Sequence, residues 1–167
     1  MYAAILFWFF TLNYYTDPSW LGVSYGTPWW HLLTYSFVHV SLLHMLTNAA
    51  MHVYYWRFLR QLPLWRVLAA IVPAVILSAW LARQQVPTIG ASAVVFAEIG
   101  IVMTYMRRKA DIVRALVTLA MVFTLTGLFA PHINTLIHVY AIAIAYVAYR
   151  ITGMNLKIYD YEKKQVS

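Results

Sequence analysis

From Leu64 to Ala82 the chain is apolar apart from Arg66 near its start and Ser78 near its end. At about 1.5 Å per residue, a helix of that length crosses most of the roughly 30 Å of bilayer hydrocarbon. Similar apolar stretches, separated by short polar breaks, recur along the chain. The pattern predicts six spans: Tyr2 to Tyr15, Ser41 to Leu62, Leu64 to Ala82, Gly90 to just before Arg107, Ile112 to Phe129, and Ile133 to Ile151. The first is short, but it lacks the basic start and small-residue cleavage site of a signal peptide. Only 10% of the residues are charged and 63% are hydrophobic, far too little charge to coat a soluble domain of 167 residues. The expected fold is an all-α polytopic membrane bundle, one domain over residues 1–152, followed by a cytoplasmic polar tail over 153–167.

The net charge of +7 would suggest nucleic acid in a soluble protein. Here the basic residues sit at span ends and set orientation instead. Arg57, Arg60 and Arg66 flank the second turn. Arg107, Arg108, Lys109 and Arg114 flank the fourth, and Arg150, Lys157, Lys163 and Lys164 follow the last span. With six spans these regions share one side, leaving Arg83 alone on the other. Both termini are therefore expected in the cytoplasm, in a plasma membrane that for a chain without soluble domains is expected to be a bacterial inner membrane. Between residues 16 and 40 lies an aromatic-rich loop broken by Pro18, Gly22, Gly26 and Pro28, whose Trp20, Trp29 and Trp30 suit a membrane interface. There is no cysteine, which removes disulfides, thiolate metal sites and cysteine nucleophiles.

Ionisable and strongly polar groups are costly in hydrocarbon, so each one inside a span is a functional candidate. They are His44, Asn48, His52, Ser92, Glu98 and His138, with His39 just before the second span. Counted from the outer ends of their spans, His44, Asn48, Ser92 and His138 fall within roughly 3–12 Å of the outer surface. Three helices thus present a serine, a histidine and a His/Asn pair in one layer that water can reach through a shallow cavity. Ser92 is the candidate nucleophile and His138 its base. His44 and Asn48, four residues apart, share a helix face and can donate to a developing oxyanion. The Ser92 backbone N–H, at a helix start, is a further donor. Phe96 lies one turn after Ser92 and can pack against His138, for which no acidic orienting residue is at hand. His52 extends the His44–Asn48 face and is expected to line the interior. Glu98 is expected to be neutral or hydrogen-bonded inside the bundle, on a different face from Ser92.

Taken singly, these residues have ordinary roles. A serine in a membrane helix bonds back onto its helix, an asparagine glues helices together, and a phenylalanine is core. Their coincidence in one layer argues for chemistry. An aspartyl mechanism needs paired carboxylates, but Asp17, Asp111 and Asp160 lie in loops or the tail. A zinc peptidase would carry His-Glu-x-x-His, which does not occur. A membrane cytochrome would use His44, His52 or His138 as axial ligands. A transporter would show an inverted repeat, and none is present.

At these positions the chain resembles the rhomboid family. His39-Val-Ser-Leu-Leu-His44-Met-Leu-Thr-Asn48 resembles the family's motif of two histidines and an asparagine. Gly90-Ala91-Ser92-Ala93 resembles its Gly-x-Ser-Gly. His138 followed by Ala141 and Ala145 resembles His-x-x-Gly-x-x-x-Gly. The resemblance implies a six-span rhomboid core and an intramembrane serine protease, with Ser92 and His138 as the catalytic dyad. His44 and Asn48 would serve the oxyanion hole, and His39 would support the neighbouring loop. It further implies a single-pass transmembrane protein as substrate, cleaved in or near its span, and no cofactor. A non-catalytic relative that grips transmembrane clients is the alternative. Three positions depart from the pattern: Ala93 stands for the glycine after the serine, Ala141 and Ala145 stand for the two glycines, and Trp30-His31 replaces a Trp-Arg pair in the first loop.

Overall fold

The computed structural model describes residues 18–129 and 133–166, and the expected first span lies outside them. The described residues form six helices and no strand. They are a short α1 (His31–Thr34), α2 (Leu42–Leu59), α3 (Leu64–Leu81), α4 (Ser92–Met103), α5 (Lys109–Phe129) and α6 (Thr135–Val166). Two 3₁₀ turns, Pro18–Leu21 and Tyr35–Phe37, bracket the loop that carries α1.

Local chemistry sets the boundaries. Ser41 is extended and its side chain accepts the His44 N–H at 3.2 Å, capping the start of α2. Pro63 closes the turn after α2 and precedes α3. Pro73, inside α3, removes one intrahelical donor. α4 starts two residues later than the expected fourth span, because Gly90 has φ +119° and leaves the helical region. α6 continues well past the expected end at Ile151. The segment beyond contains no proline, and its Lys, Glu, Gln and Leu residues favour helix, so the backbone stays helical through Val166.

Apolar faces dictate the packing. On α3 the buried residues Val67, Ala70, Ala74, Val75, Ser78 and Ala79 form one stripe. The opposite side, with Leu68, Val72, Leu77 and Trp80, is exposed yet equally apolar. On α6 the buried stripe is Ile137, Ala141, Ala145 and Tyr149, at intervals of four. α4 sits between α3, α6 and α2 and is buried on most sides. Small residues let it in: Ala93, Ala97, Ala141 and Ala145 are all fully buried. A Cβ at Gly100 would collide with the carbonyl oxygen of Ile142 and lie 3.2 Å from the Ala145 Cβ.

α5 packs lightly, against α6, and exposes Val113, Leu116, Val117, Met121 and Leu125. Apolar exposure on this scale belongs in lipid rather than water. Among the described residues two helices, Leu64–Leu81 and Thr135–Gly153, are long and apolar enough to cross a membrane, while the apolar Ser92–Met103 is shorter. Trp20 and Trp29, expected at the interface, are exposed.

Gly100→Val should lower the unfolding free energy in detergent by about 2–3 kcal/mol, because the facing atom is backbone and cannot rotate away. Ala145→Gly, which only removes a methyl, should cost about 1 kcal/mol. Denaturant unfolding followed by tryptophan fluorescence measures both, and equal stabilities would contradict this packing.

Candidate active site

Four helices and one loop meet around a cavity of about 550 Å³ lined by His44, Asn48, Ser92, Phe96, Phe123 and His138, among others. The loop between α3 and α4 delivers the serine, and it is tied down at several points. Thr88 pairs with Val23 through two backbone hydrogen bonds of 3.0 and 2.9 Å. Asn134 Nδ2 donates to the Ala82 carbonyl at 2.7 Å and to Thr88 Oγ1 at 3.0 Å. Tyr35 is the hub: its hydroxyl donates to the Val75 carbonyl on α3, and its own carbonyl accepts the Gly90 N–H at 2.8 Å.

Gly90 is needed twice over. Its φ is +119°, and a Cβ there would lie 2.5 Å from His44 Cε1. The His44 ring therefore occupies space that any other residue would fill. One residue on, the Ala91 N–H donates to His39 Nε2 at 3.3 Å. His39 is buried, and burial, aided by the neighbouring His44, pushes its imidazole down to about 4, so it stays neutral and keeps that lone pair available. This contact joins His39 to the residue next to Ser92.

Ser92 Oγ and His138 Nε2 are 2.8 Å apart. The Phe96 ring stacks on the His138 imidazole at 4.3 Å between centroids, with planes 23° apart. Phe123 of α5 lies near parallel to the same imidazole at 6.3 Å. Aromatic faces thus fix the imidazole plane, where an acidic residue would otherwise do so. A hydroxyl at this distance can pass its proton to the imidazole as it attacks a carbonyl.

Asn48 faces the same cavity, and its buried Nδ2 has no hydrogen-bond partner among the described residues. His44 lines the cavity one turn above it. Ser92 opens α4, where helix geometry leaves its N–H without an intrahelical acceptor. Ala93 is fully buried in the helix packing and does not line the cavity. Ala141 and Ala145 face α4. His31 is buried, and its Nδ1–H donates to the Gly22 carbonyl at 2.6 Å, so this imidazole clasps its loop.

A model of the rhomboid domain matches residues 26–155. The chain belongs to the rhomboid family. No curated protein sequence gives a significant match. Rhomboid proteins are integral membrane proteins, mostly serine intramembrane proteases with some inactive members. In this rhomboid protein His44, Asn48, Ser92, Phe96 and His138 line one cavity, Gly90 and His39 hold the loop that leads to Ser92, and Ala93, Ala141 and Ala145 lie in the helix packing. Phe123 was invisible to sequence reasoning, because one phenylalanine in an apolar span carries no signal that separates it from lipid-facing neighbours. Glu98 is bonded inside the bundle as expected, its Oε1 lying 2.5 Å from His52 Nδ1.

Gly90→Ala should destabilise the folded protein by about 2 kcal/mol through left-handed strain and the clash with the His44 ring. Adding His44→Ala should recover part of that loss. Thermal unfolding of the two variants checks this, and an unaffected single variant would contradict the geometry.

Proposed function

We propose that this rhomboid protein is an intramembrane serine endopeptidase that cleaves single-pass transmembrane proteins in or near the bilayer. The observation that carries the reading is the 2.8 Å contact between Ser92 Oγ and His138 Nε2 at a cavity that also holds an unpartnered Asn48 amide. Ser92 attacks the scissile carbonyl while His138 takes its proton and later returns it to the leaving amine. The oxyanion accepts hydrogen bonds from Asn48 Nδ2, His44 and the Ser92 backbone N–H. Phe96 and His39 act as supports, Phe96 for the imidazole and His39 for the loop that presents Ser92. No cofactor takes part.

The depth of the site fits this chemistry. α4 has 12 residues, so it is only ~18 Å long against ~30 Å of hydrocarbon. With Arg107, Arg108 and Lys109 held at the cytoplasmic face, Ser92 then lies several ångströms below the outer surface, open to water from above. Taken with six spans, the same basic asymmetry would put both termini in the cytoplasm. An unfolded stretch of substrate entering the cavity would meet the nucleophile with its backbone exposed, which a helix does not allow.

Purified protein in detergent should be labelled by a fluorophosphonate probe. Ser92→Ala should abolish labelling, and His138→Ala should slow it by roughly 10³-fold or more. Asn48→Ala should slow it by about 10²-fold. A folded wild type that takes no label would point instead to a client-binding rhomboid relative.

A further inference from the structure

Glu98 and His52 play no part in the chemistry described above, yet their polar contact is very short. His52 Nδ1 lies 2.5 Å from Glu98 Oε1, with Glu98 fully buried and His52 partly exposed. Neither residue lines the cavity. The His52 ring also lies 6.0 Å from Trp56, tilted by 30°. A carboxylate in this setting is expensive, and removing His52 would take away the hydrogen bond that compensates the buried Glu98. Packing alone would be served as well by two leucines.

The location explains what the pair achieves. Glu98 is on the helix that begins with Ser92, and His52 is on the helix that carries His44 and Asn48. Contacts join α2 to α4 and to the loop that leads into it at two levels. At the outer level the His44 ring fills the space beside Gly90, and two turns below Glu98 meets His52. The bond at Glu98 joins helix to helix and fixes the register between α2 and α4, whereas the contact at Gly90 sets the distance of the loop that leads into α4. Asn48 lies midway, one turn from each. The upper contact is steric and resists only approach. The lower contact is directional and resists sliding, rotation and separation.

We propose that Glu98 and His52 are a positioning pair that holds the Asn48 amide at the height and angle needed to meet an oxyanion formed at Ser92. The pair acts through Asn48 and touches no reacting atom. This inference rests on the serine-protease reading of the site.

The test measures fluorophosphonate inactivation of the full-length protein in detergent, separating the rate constant at saturation from the half-saturating concentration. Wild type and Ser92→Ala come first: label on the wild type that is lost in Ser92→Ala secures the parent reading, whereas an unlabelled folded wild type overturns both readings. Glu98→Leu and the double variant His52→Leu/Glu98→Leu follow, with thermal unfolding as the check on folding. The double variant removes both members of the buried pair together, so it keeps the experiment decisive should the single variant not fold. The saturating rate constant should fall roughly 10- to 100-fold in both, while the half-saturating concentration stays within about twofold. Glu98→Gln, which keeps an acceptor for His52, should restore most of the rate. In an Asn48→Ala background the double variant should cause little further loss, because the positioned group is already gone. Wild-type rates in a folded double variant, or an equal fall with and without Asn48, would overturn the proposal and leave the pair with a purely structural role.

Discussion

At Gly100 the backbone of α4 approaches α6 so closely that no side chain fits between Gly100 and the Ile142 carbonyl. Association of helices in lipid gains little from apolar burial and depends on such close contact. Ala93, Ala97, Ala141 and Ala145 continue the same seam, all without exposed surface. The seam has a chemical consequence. Ser92 and His138 lie on these two helices, one at the start of α4 and the other just inside α6, and a 2.8 Å contact between them tolerates no larger helix separation. Alanine in place of the family's glycines at 93, 141 and 145 is compatible with that spacing, because the closest approach falls at Gly100.

Polar groups in this bundle divide into two kinds. Most are paired locally: Tyr35 with Val75 and Gly90, Asn134 with Ala82 and Thr88, His31 with Gly22. Buried side-chain atoms without a partner are few among the described residues, and those of His44 and Asn48 belong to residues that line the cavity with Ser92. Natural interiors rarely leave such atoms unsatisfied, and when they do the site commonly has a use for them. An amide donor held unpaired at a cavity costs stability in the resting protein and is available at once when negative charge forms on a substrate oxygen.

Much of this was legible in the sequence because membrane hydrocarbon makes polar residues conspicuous. Ser92, His138, His44 and Asn48 stand out by their polarity, and turn and charge signals put α2, α3 and α5 within a few residues of their observed ends. The start of α4 was harder, since Gly90 reads as part of an apolar span and its left-handed backbone beside the His44 ring is a tertiary feature. The length of α6 was hidden by the assumption that a polar tail would not continue a helix. His31 looked like the loss of a guanidinium, and its bond to Gly22 depends on how the loop folds back, which spacing does not reveal. Glu98 and His52 were each recognisable as costly, but their pairing follows from the parallel register of α2 and α4, a tertiary fact.

The central claim is that Ser92, His138 and Asn48 form one reactive unit. The most direct test is an experimental structure of the protein after reaction with a fluorophosphonate. The account predicts phosphorus bonded to Ser92 Oγ and a phosphonyl oxygen about 3 Å from Asn48 Nδ2, with His138 still stacked on Phe96. An adduct on another residue, or a phosphonyl oxygen turned away from Asn48 and His44, would contradict it.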